Sequence, residues 1–130
     1  MPKAKTEAVA QTVQGSIRDR VAGADDIQIE LFPVPEWDVE LELRSMTAGE
    51  RGICLAASTD QNTGRPIMDK LYARVLIASA YDPASGELAF KAEDEQMLSG
   101  KNGAVVERIA SRAMQMSGFD DEAQDRLGNG

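Results

Sequence analysis

The 130-residue sequence contains no histidine and a single cysteine, Cys54. Without histidine the chain lacks imidazole as a general acid or base, the Ser-His and Cys-His catalytic pairs, and most kinds of zinc site. A single cysteine forms no disulfide within the chain, so nothing indicates an oxidising compartment. Cys54 stands between Ile53 and Leu55, which is typical of a small core residue. We therefore expect no catalytic residue, no metal site and no cofactor.

Positive charge is also scarce, because 22 Asp and Glu residues outnumber 14 Lys and Arg residues and give a net charge of -8. A surface of this sign repels polyanions, so we expect no nucleic-acid partner. No apolar run reaches the roughly 18 residues of a membrane span, and the first residues are not followed by the apolar core of a signal peptide. The composition predicts a soluble, cytoplasmic protein that does not bind a membrane.

A hydrophobic content of 42% in 130 residues suits one compact domain. We predict a single α+β domain over residues 25–118, a flexible or partner-ordered arm at 1–24, and an acidic mobile tail at 119–130. The arm also has apolar residues at steps of four, which leaves a short amphipathic helix, packed through its apolar face, open as an alternative. These residues are Val9, Val13, Ile17 and Val21.

Two runs of alternating apolar and polar residues predict a pair of β-strands. The apolar members are Ile27, Ile29 and Leu31 in the first run, and Trp37, Val39, Leu41 and Leu43 in the second. Pro33 and Pro35 lie between the runs and cannot donate ladder hydrogen bonds, so we expect a turn and an antiparallel hairpin.

The acidic residues of this hairpin are predicted to share its outward, solvated face. They are Glu30, Asp38, Glu40 and Glu42. A metal site is the alternative interpretation of such a row. Alternate positions of a strand give a flat row and not a converging cage, which favours the solvated face.

Two helices are predicted in the middle of the chain. Thr47 and Glu50 have the spacing of a capping box, which predicts a helix running to about Ser58. Residues 68–79 place apolar side chains on one helical stripe, although Val75 to Ala78 could also form a buried strand.

Two further helices are predicted towards the C-terminal end. Residues 91–99 carry carboxylates near their start, which suits the positive end of a helix dipole. Residues 102–116 present a broad apolar arc and stop at Gly118. The predicted fold is therefore α+β, with a small N-terminal antiparallel β-hairpin followed by a bundle of about four helices.

Several short segments occur in an order and spacing that is moderately specific. They are Trp37-Asp38-Val39 followed by Arg44; Thr47-Ala48-Gly49-Glu50-Arg51; Ala80-Tyr81-Asp82-Pro83 with Gly86 and Phe90; and Lys101-Asn102-Gly103-Ala104-Val105-Val106-Glu107-Arg108 continuing to Met116-Ser117-Gly118. With these segments the chain resembles the tail assembly chaperones of long-tailed bacteriophages and related prophages, over about residues 27–118.

The resemblance implies a non-catalytic protein with a small N-terminal β element and helices. Members of the family bind the tape measure protein while the tail tube assembles around it. The tail tube protein is a further candidate partner, and a homo-oligomer is left open. Such a protein acts in the host cytoplasm and is not expected in the mature virion. The alternative is a structural virion subunit, such as a tail-terminator or head-tail connector protein.

A chaperone of this kind needs accessible apolar surface on a soluble body. Flexible methionines and the apolar stripe of the last helix are the candidate partner-binding residues, since thioethers repack against varied helices. These residues are Met97, Val105, Ile109, Met114 and Met116. The alternative is that they only fill the core.

Overall fold

The computed structural model describes residues 15–119 and shows an α+β architecture in which a three-stranded antiparallel sheet packs with helices. This confirms the predicted fold class. In chain order the elements are α1 (Ile17–Gly23), β1 (Ile29–Val34), a 3-10 turn (Pro35–Trp37), β2 (Val39–Arg44), α2 (Ala48–Ala57), α3 (Met68–Ser79), β3 (Ala80–Tyr81), a second 3-10 turn (Ala92–Asp94), α4 (Glu95–Ser99) and α5 (Gly103–Met116). No helix within residues 15–119 is long and apolar enough to span a membrane.

The predicted hairpin is formed by β1 and β2, and β3 extends the sheet on the far side of β2. The register places Ile29 opposite Arg44 and Val34 opposite Val39. β3 pairs with β2 only at Glu42 and Leu43. The third strand has no counterpart among the predicted elements, because it is only two residues long and directly follows α3.

The predicted orientation of β1 is wrong. Ile29 and Leu31 are 60% and 55% exposed, whereas Val34 is fully buried and Phe32 packs against the core. The helix-facing side of β1 also holds Glu30, which lies directly opposite the buried Leu43. β2 follows the prediction, since Leu41 and Leu43 are buried.

An arginine of α5 explains why a carboxylate can lie on the helix-facing side. Arg112 Nε and Nη2 donate to the two carboxylate oxygens of Glu30 at 2.9 and 2.6 Å. This paired arrangement satisfies both charges at the margin of the core. It also lowers the pKa of Glu30, chiefly through these hydrogen bonds.

The four acidic residues of the hairpin do not share one outward face, so this prediction is wrong. Glu30 lies on the helix-facing side, and Asp38 ends the first 3-10 turn with a left-handed backbone, at φ 55°. Glu40 and Glu42 remain on the outer face, where Arg44 Nε donates to Glu42 at 2.6 Å. The row is therefore split between two faces and a turn.

α2 begins as predicted with a complete capping box. The Glu50 amide donates to Thr47 Oγ1 at 3.1 Å, and the Thr47 amide donates to Glu50 Oε1 at 2.9 Å. Cys54 is buried on this helix, which confirms its predicted place in the core. α3 is helical throughout and buries Leu71 and Leu76, so the strand alternative for its second half is wrong.

Among the helices of residues 15–119, α5 is the longest, and it packs against α3. Its cap is Asn102, whose Oδ1 accepts hydrogen bonds from the amides of Ala104 and Val105. Beyond the helix, Gly118 has φ 90° and turns the chain so that Phe119 is buried, at 1% exposure. The core therefore extends one residue into the predicted tail, whose residues 120–130 lie outside the described part.

The part of the predicted arm that is described contains a helix. Ser16 Oγ caps α1 by accepting from the Asp19 amide at 3.2 Å. No residue of α1 is buried, and its apolar Ile17 and Val21 are 75% and 68% exposed. Residues 17–23 are thus helical but not packed, and the packed helix of the alternative is not seen there, while residues 1–14 lie outside the described part.

Candidate functional site

Four of the five predicted partner-binding residues lie in the core. Val105, Ile109, Met114 and Met116 have exposures of 8% or less on the face of α5 that packs inwards. Met97, on α4, is 44% exposed. Partner binding by these residues stays a prediction, and in this conformation Met97 is the one of the five that another protein can readily touch.

Other large apolar side chains are exposed on the described surface. They are Ile17, Val21, Ile29, Leu31, Val39, Ile53 and Leu88, in addition to Met97. Three of them, Val39, Leu88 and Met97, line the same groove, of about 700 Å³. We take this groove as the candidate functional site, because isolated exposed apolar residues are common and a converging set is not.

The groove lies between the tip of the hairpin, the turn at residues 82–90, and α4. Apolar side chains make up most of its lining. Besides the three exposed residues they are Trp37, Leu41, Ala89, Phe90 and Leu98. Because β3 pairs only with Glu42 and Leu43, the β2 segment from Val39 to Leu41 lines the groove and does not pair with a third strand.

Two hydrogen bonds to α5 fix the hairpin tip beside the groove. Arg108 Nη1 and Nη2 donate to the carboxylate oxygens of Glu36 at 2.9 and 2.7 Å. This contact lowers the pKa of Glu36 to about 2, with the Arg108 hydrogen bonds as the largest cause. Since Glu36 precedes Trp37 within the 3-10 turn, the same contact positions the indole at the groove.

Hydrogen bonds within the turn at residues 82–90 place Leu88 and Phe90 on the side of the groove opposite the hairpin tip. Asp82 Oδ1 accepts from the Ala84 amide at 2.8 Å, and the Asp82 amide donates to the Glu87 carbonyl at 2.8 Å. Gly86 has φ 75°, a conformation that favours glycine. The chain then returns to the sheet, where Leu88 forms a bridge with Tyr81.

The rim of the groove is acidic. Glu40, Asp82 and Glu87 line it, and none of them forms an ion pair with another residue of the described range 15–119. Lys101 is the one basic residue in the lining. An apolar floor under a negative rim suits a ligand that is apolar on one face and carries basic side chains.

Nothing in the described residues converges for chemistry. Within residues 15–119 no group of three or more Cys, Asp or Glu side chains is arranged to hold a metal ion. The Cys54 thiol is buried, and this burial raises its pKa to about 11, which keeps the sulfur protonated at neutral pH. These two observations concern the described residues only, and the groove is considered below as a surface for binding.

Two exposed apolar side chains lie on the outer face of the sheet, beside the ion pair of Glu42 and Arg44. Ile29 and Leu31 project there from β1, and Arg44 of β2 stacks on the Tyr81 ring at 3.8 Å from its centroid. Leu88, which lines the groove, forms a bridge with Tyr81 at the edge of this face.

No family model and no curated protein matches the chain. Among solved structures, the chain is similar to the tail assembly chaperone of bacteriophage HK97, with a TM-score of 0.57 and 17% sequence identity. The two share a fold. The match covers 86% of this chain and 99% of the HK97 chain.

Sequence reasoning missed Val39 and Leu88 as surface residues and the half-buried Trp37 as part of the groove lining. The alternating pattern placed Trp37 and Val39 on the dry side of a strand, whereas Trp37 belongs to a turn and Val39 is 46% exposed. The only signal available was the position of the single tryptophan two residues after Pro35, next to the segment that holds Pro33 and Pro35.

Proposed function

We propose that this protein is a non-catalytic assembly chaperone that holds the tape measure protein of a long-tailed bacteriophage during tail tube assembly. The observation that carries the proposal is the apolar groove beside Trp37 and Met97, on a chain that shares its fold with the HK97 tail assembly chaperone. The net charge of -8 keeps such a protein soluble while apolar surface is exposed.

The groove suits one face of an amphipathic helix. Its volume of about 700 Å³ is in the range of ordinary ligand sites, which accept several side chains at once. A helical client that places apolar residues three and four positions apart would set them on Val39, Phe90 and Met97. Basic residues flanking that face would meet Glu40 and Glu87 at the rim.

Co-expression with the cognate tape measure protein tests this function. The wild-type chain should keep the client soluble and co-purify with it. A groove variant, Val39→Asp with Met97→Asp, should lose co-purification while its thermal unfolding stays close to that of wild type. Failure of the wild-type chain to co-purify with the client or to raise its solubility would contradict the proposal.

A matched control comes from Ile53, which is 71% exposed on α2 and does not line the groove. Ile53→Asp should retain the client, because the carboxylate that it adds lies away from the groove. Loss of binding in this control to the same degree would assign binding to general surface hydrophobicity and not to the groove.

The proposed role also predicts where the protein ends up. An assembly chaperone leaves when the tail is complete and acts in the host cytoplasm, so mass spectrometry of purified virions should not find it. Stoichiometric retention in virions would support a structural subunit of the tail or of the head-tail connector.

A further inference from the structure

The turn at residues 82–90 supplies a large share of the groove. It carries two of the acidic residues of the rim, Asp82 and Glu87, and the apolar side chains of Leu88 and Phe90. Residues 82–88 are all exposed, so packing against the core contributes little to holding them in place. The position of this wall of the groove therefore depends on the contacts that tie the turn to the rest of the protein.

The tip of the turn, residues 82–87, makes most of its hydrogen bonds within itself. The Asp82 amide donates to the Glu87 carbonyl, and the Gly86 amide donates to the Asp82 carbonyl, both at 2.8 Å. These bonds shape the tip but do not attach it to the sheet. Among the described residues, the hydrogen bond that reaches the tip from outside comes from Arg44, whose Nη2 donates to the Gly86 carbonyl at 3.3 Å.

The base of the turn is paired with the sheet, but only over a short length. Leu88 forms a bridge with Tyr81, and the Ala89 amide donates to the Ala80 carbonyl at 2.9 Å. β3 itself is two residues long. Because so short a ribbon is only marginally ordered by its own ladder, the contact from Arg44 is what holds the tip against the sheet.

Two neighbours orient the Arg44 guanidinium towards the turn. Its Nε donates to Glu42 Oε2 at 2.6 Å, and the group stacks on the Tyr81 ring at 3.8 Å from the centroid. A guanidinium is planar and rigid, so these two contacts fix the direction of its remaining N–H groups. The Arg44 side chain is 30% exposed and so partly withdrawn from water. Arg44 is therefore oriented in advance for the Gly86 carbonyl.

Arg44 does not itself line the groove, because it lies on the outer face of the sheet opposite Ile29. The other wall has a similar anchor. Arg108 also lies outside the lining and holds Glu36 at the hairpin tip. Each wall of the groove is thus held by an arginine that a ligand in the groove does not touch.

We propose that Arg44 is a positioning residue for client binding, which holds the turn at residues 82–90 in place as one wall of the groove. The proposal rests on the proposed function for the existence of a client, whereas the anchoring of the turn does not depend on one. A turn that is in place only about one-fifth of the time lowers the apparent client affinity about fivefold.

The sign of the effect separates positioning from simple charge attraction. Arg44→Gln removes a positive charge and makes the net charge one unit more negative than -8. Charge attraction alone would then strengthen the binding of a client that carries basic residues. Positioning predicts the reverse, an affinity about fivefold lower, because the rim carboxylates and Leu88 no longer converge on the client.

The order of the turn can be measured by nuclear magnetic resonance on the full-length chain without any client. We expect the amide order parameters of residues 84–87 to fall from about 0.85 in wild type to below about 0.6 in Arg44→Gln, with those of α5 unchanged. Tyr81→Phe keeps the ring on which Arg44 stacks, so the turn in this variant should be ordered as in wild type.

Arg112→Gln is the matched control. It removes the same charge and breaks the paired contact with Glu30, which does not line the groove. This variant should keep an ordered turn and wild-type client affinity, although it is less stable. Client affinity is compared by co-expressing the cognate tape measure protein with differently tagged wild-type and variant chains, which gives the ratio of client captured by each.

An equally ordered turn in wild type and Arg44→Gln would overturn the proposal. So would equal or stronger client capture by Arg44→Gln, or an equal loss of capture in Arg112→Gln, because these results assign the effect to charge or to stability. A turn that loosens in Arg44→Gln while wild type captures no client would support the anchoring and contradict the proposed function. Client capture by wild type with no change of the turn in Arg44→Gln would do the reverse.

Discussion

Replacement of Ile109 by alanine distinguishes a core role from a partner-binding role for the stripe on α5. Ile109 is fully buried, so Ile109→Ala removes the Cγ1, Cγ2 and Cδ1 carbons from a packed interior. At about 0.8 kcal/mol per carbon the transfer contribution alone is about 2.4 kcal/mol. The unfilled cavity adds to this, and we expect a total loss of about 3 to 4 kcal/mol.

Urea unfolding followed by far-ultraviolet circular dichroism measures this loss directly. For a chain of this size the corresponding fall in melting temperature is on the order of 10 °C. Ile109→Val removes a single carbon and should lower the free energy of unfolding by about 1 kcal/mol. The graded series from valine to alanine is the signature of a packed core position.

Met97→Ala is the comparison on the surface side. Met97 is 44% exposed and lines the groove, so its truncation should change the free energy of unfolding by less than about 1 kcal/mol. Less client should co-purify with the Met97→Ala variant than with wild type, although the variant remains folded. Ile109→Ala with full stability and lost client binding would refute this reasoning and restore the α5 stripe as a contact surface.

Two further predictions concern the turn and the helix start that frame the sheet. The pKa of Glu36 is about 2 in the folded chain, whereas its ordinary value is about 4.5. The Glu36–Arg108 contact therefore makes its full contribution to the free energy of unfolding above pH 4.5, and this contribution declines as the pH falls towards 2. The difference in urea midpoint between wild type and Glu36→Gln should therefore shrink between pH 5 and pH 3, and a constant difference would contradict the low pKa. Thr47→Ala removes the acceptor for the Glu50 amide and should lower the free energy of unfolding by about 1 kcal/mol, with Thr47→Ser close to wild type in the same urea assay.

Local signals predicted the elements of this fold well. The Thr47–Glu50 spacing marks the start of α2 because both capping bonds form within four residues. The apolar period of residues 68–79 predicts α3, and the two prolines predict the hairpin turn. These features depend on neighbours in sequence, so the local sequence is sufficient to predict them.

The face that each element buries was harder to predict, and β1 shows why. Because side chains of a strand alternate between two faces, Ile29 and Leu31 share one face and Phe32 and Val34 share the other. Both pairs are apolar, so the pattern does not decide which face is buried. The helices cover the Phe32 side, and Arg112 compensates the carboxylate of Glu30 there. That partner lies 82 residues away in sequence, so no local pattern contains it.

The candidate site also depends on contacts between segments that are distant in sequence. Its apolar lining comes from the hairpin tip, the turn at 82–90 and α4, and a groove exists only where these segments approach one another. By itself the sequence determined the absence of histidine, the acidic charge, and the position and type of most helices and strands. Tertiary structure alone decided that Ile109 is sealed inside while Val39, Leu88 and Met97 are left at the surface, because burial is set by contacts between segments that are distant in the chain.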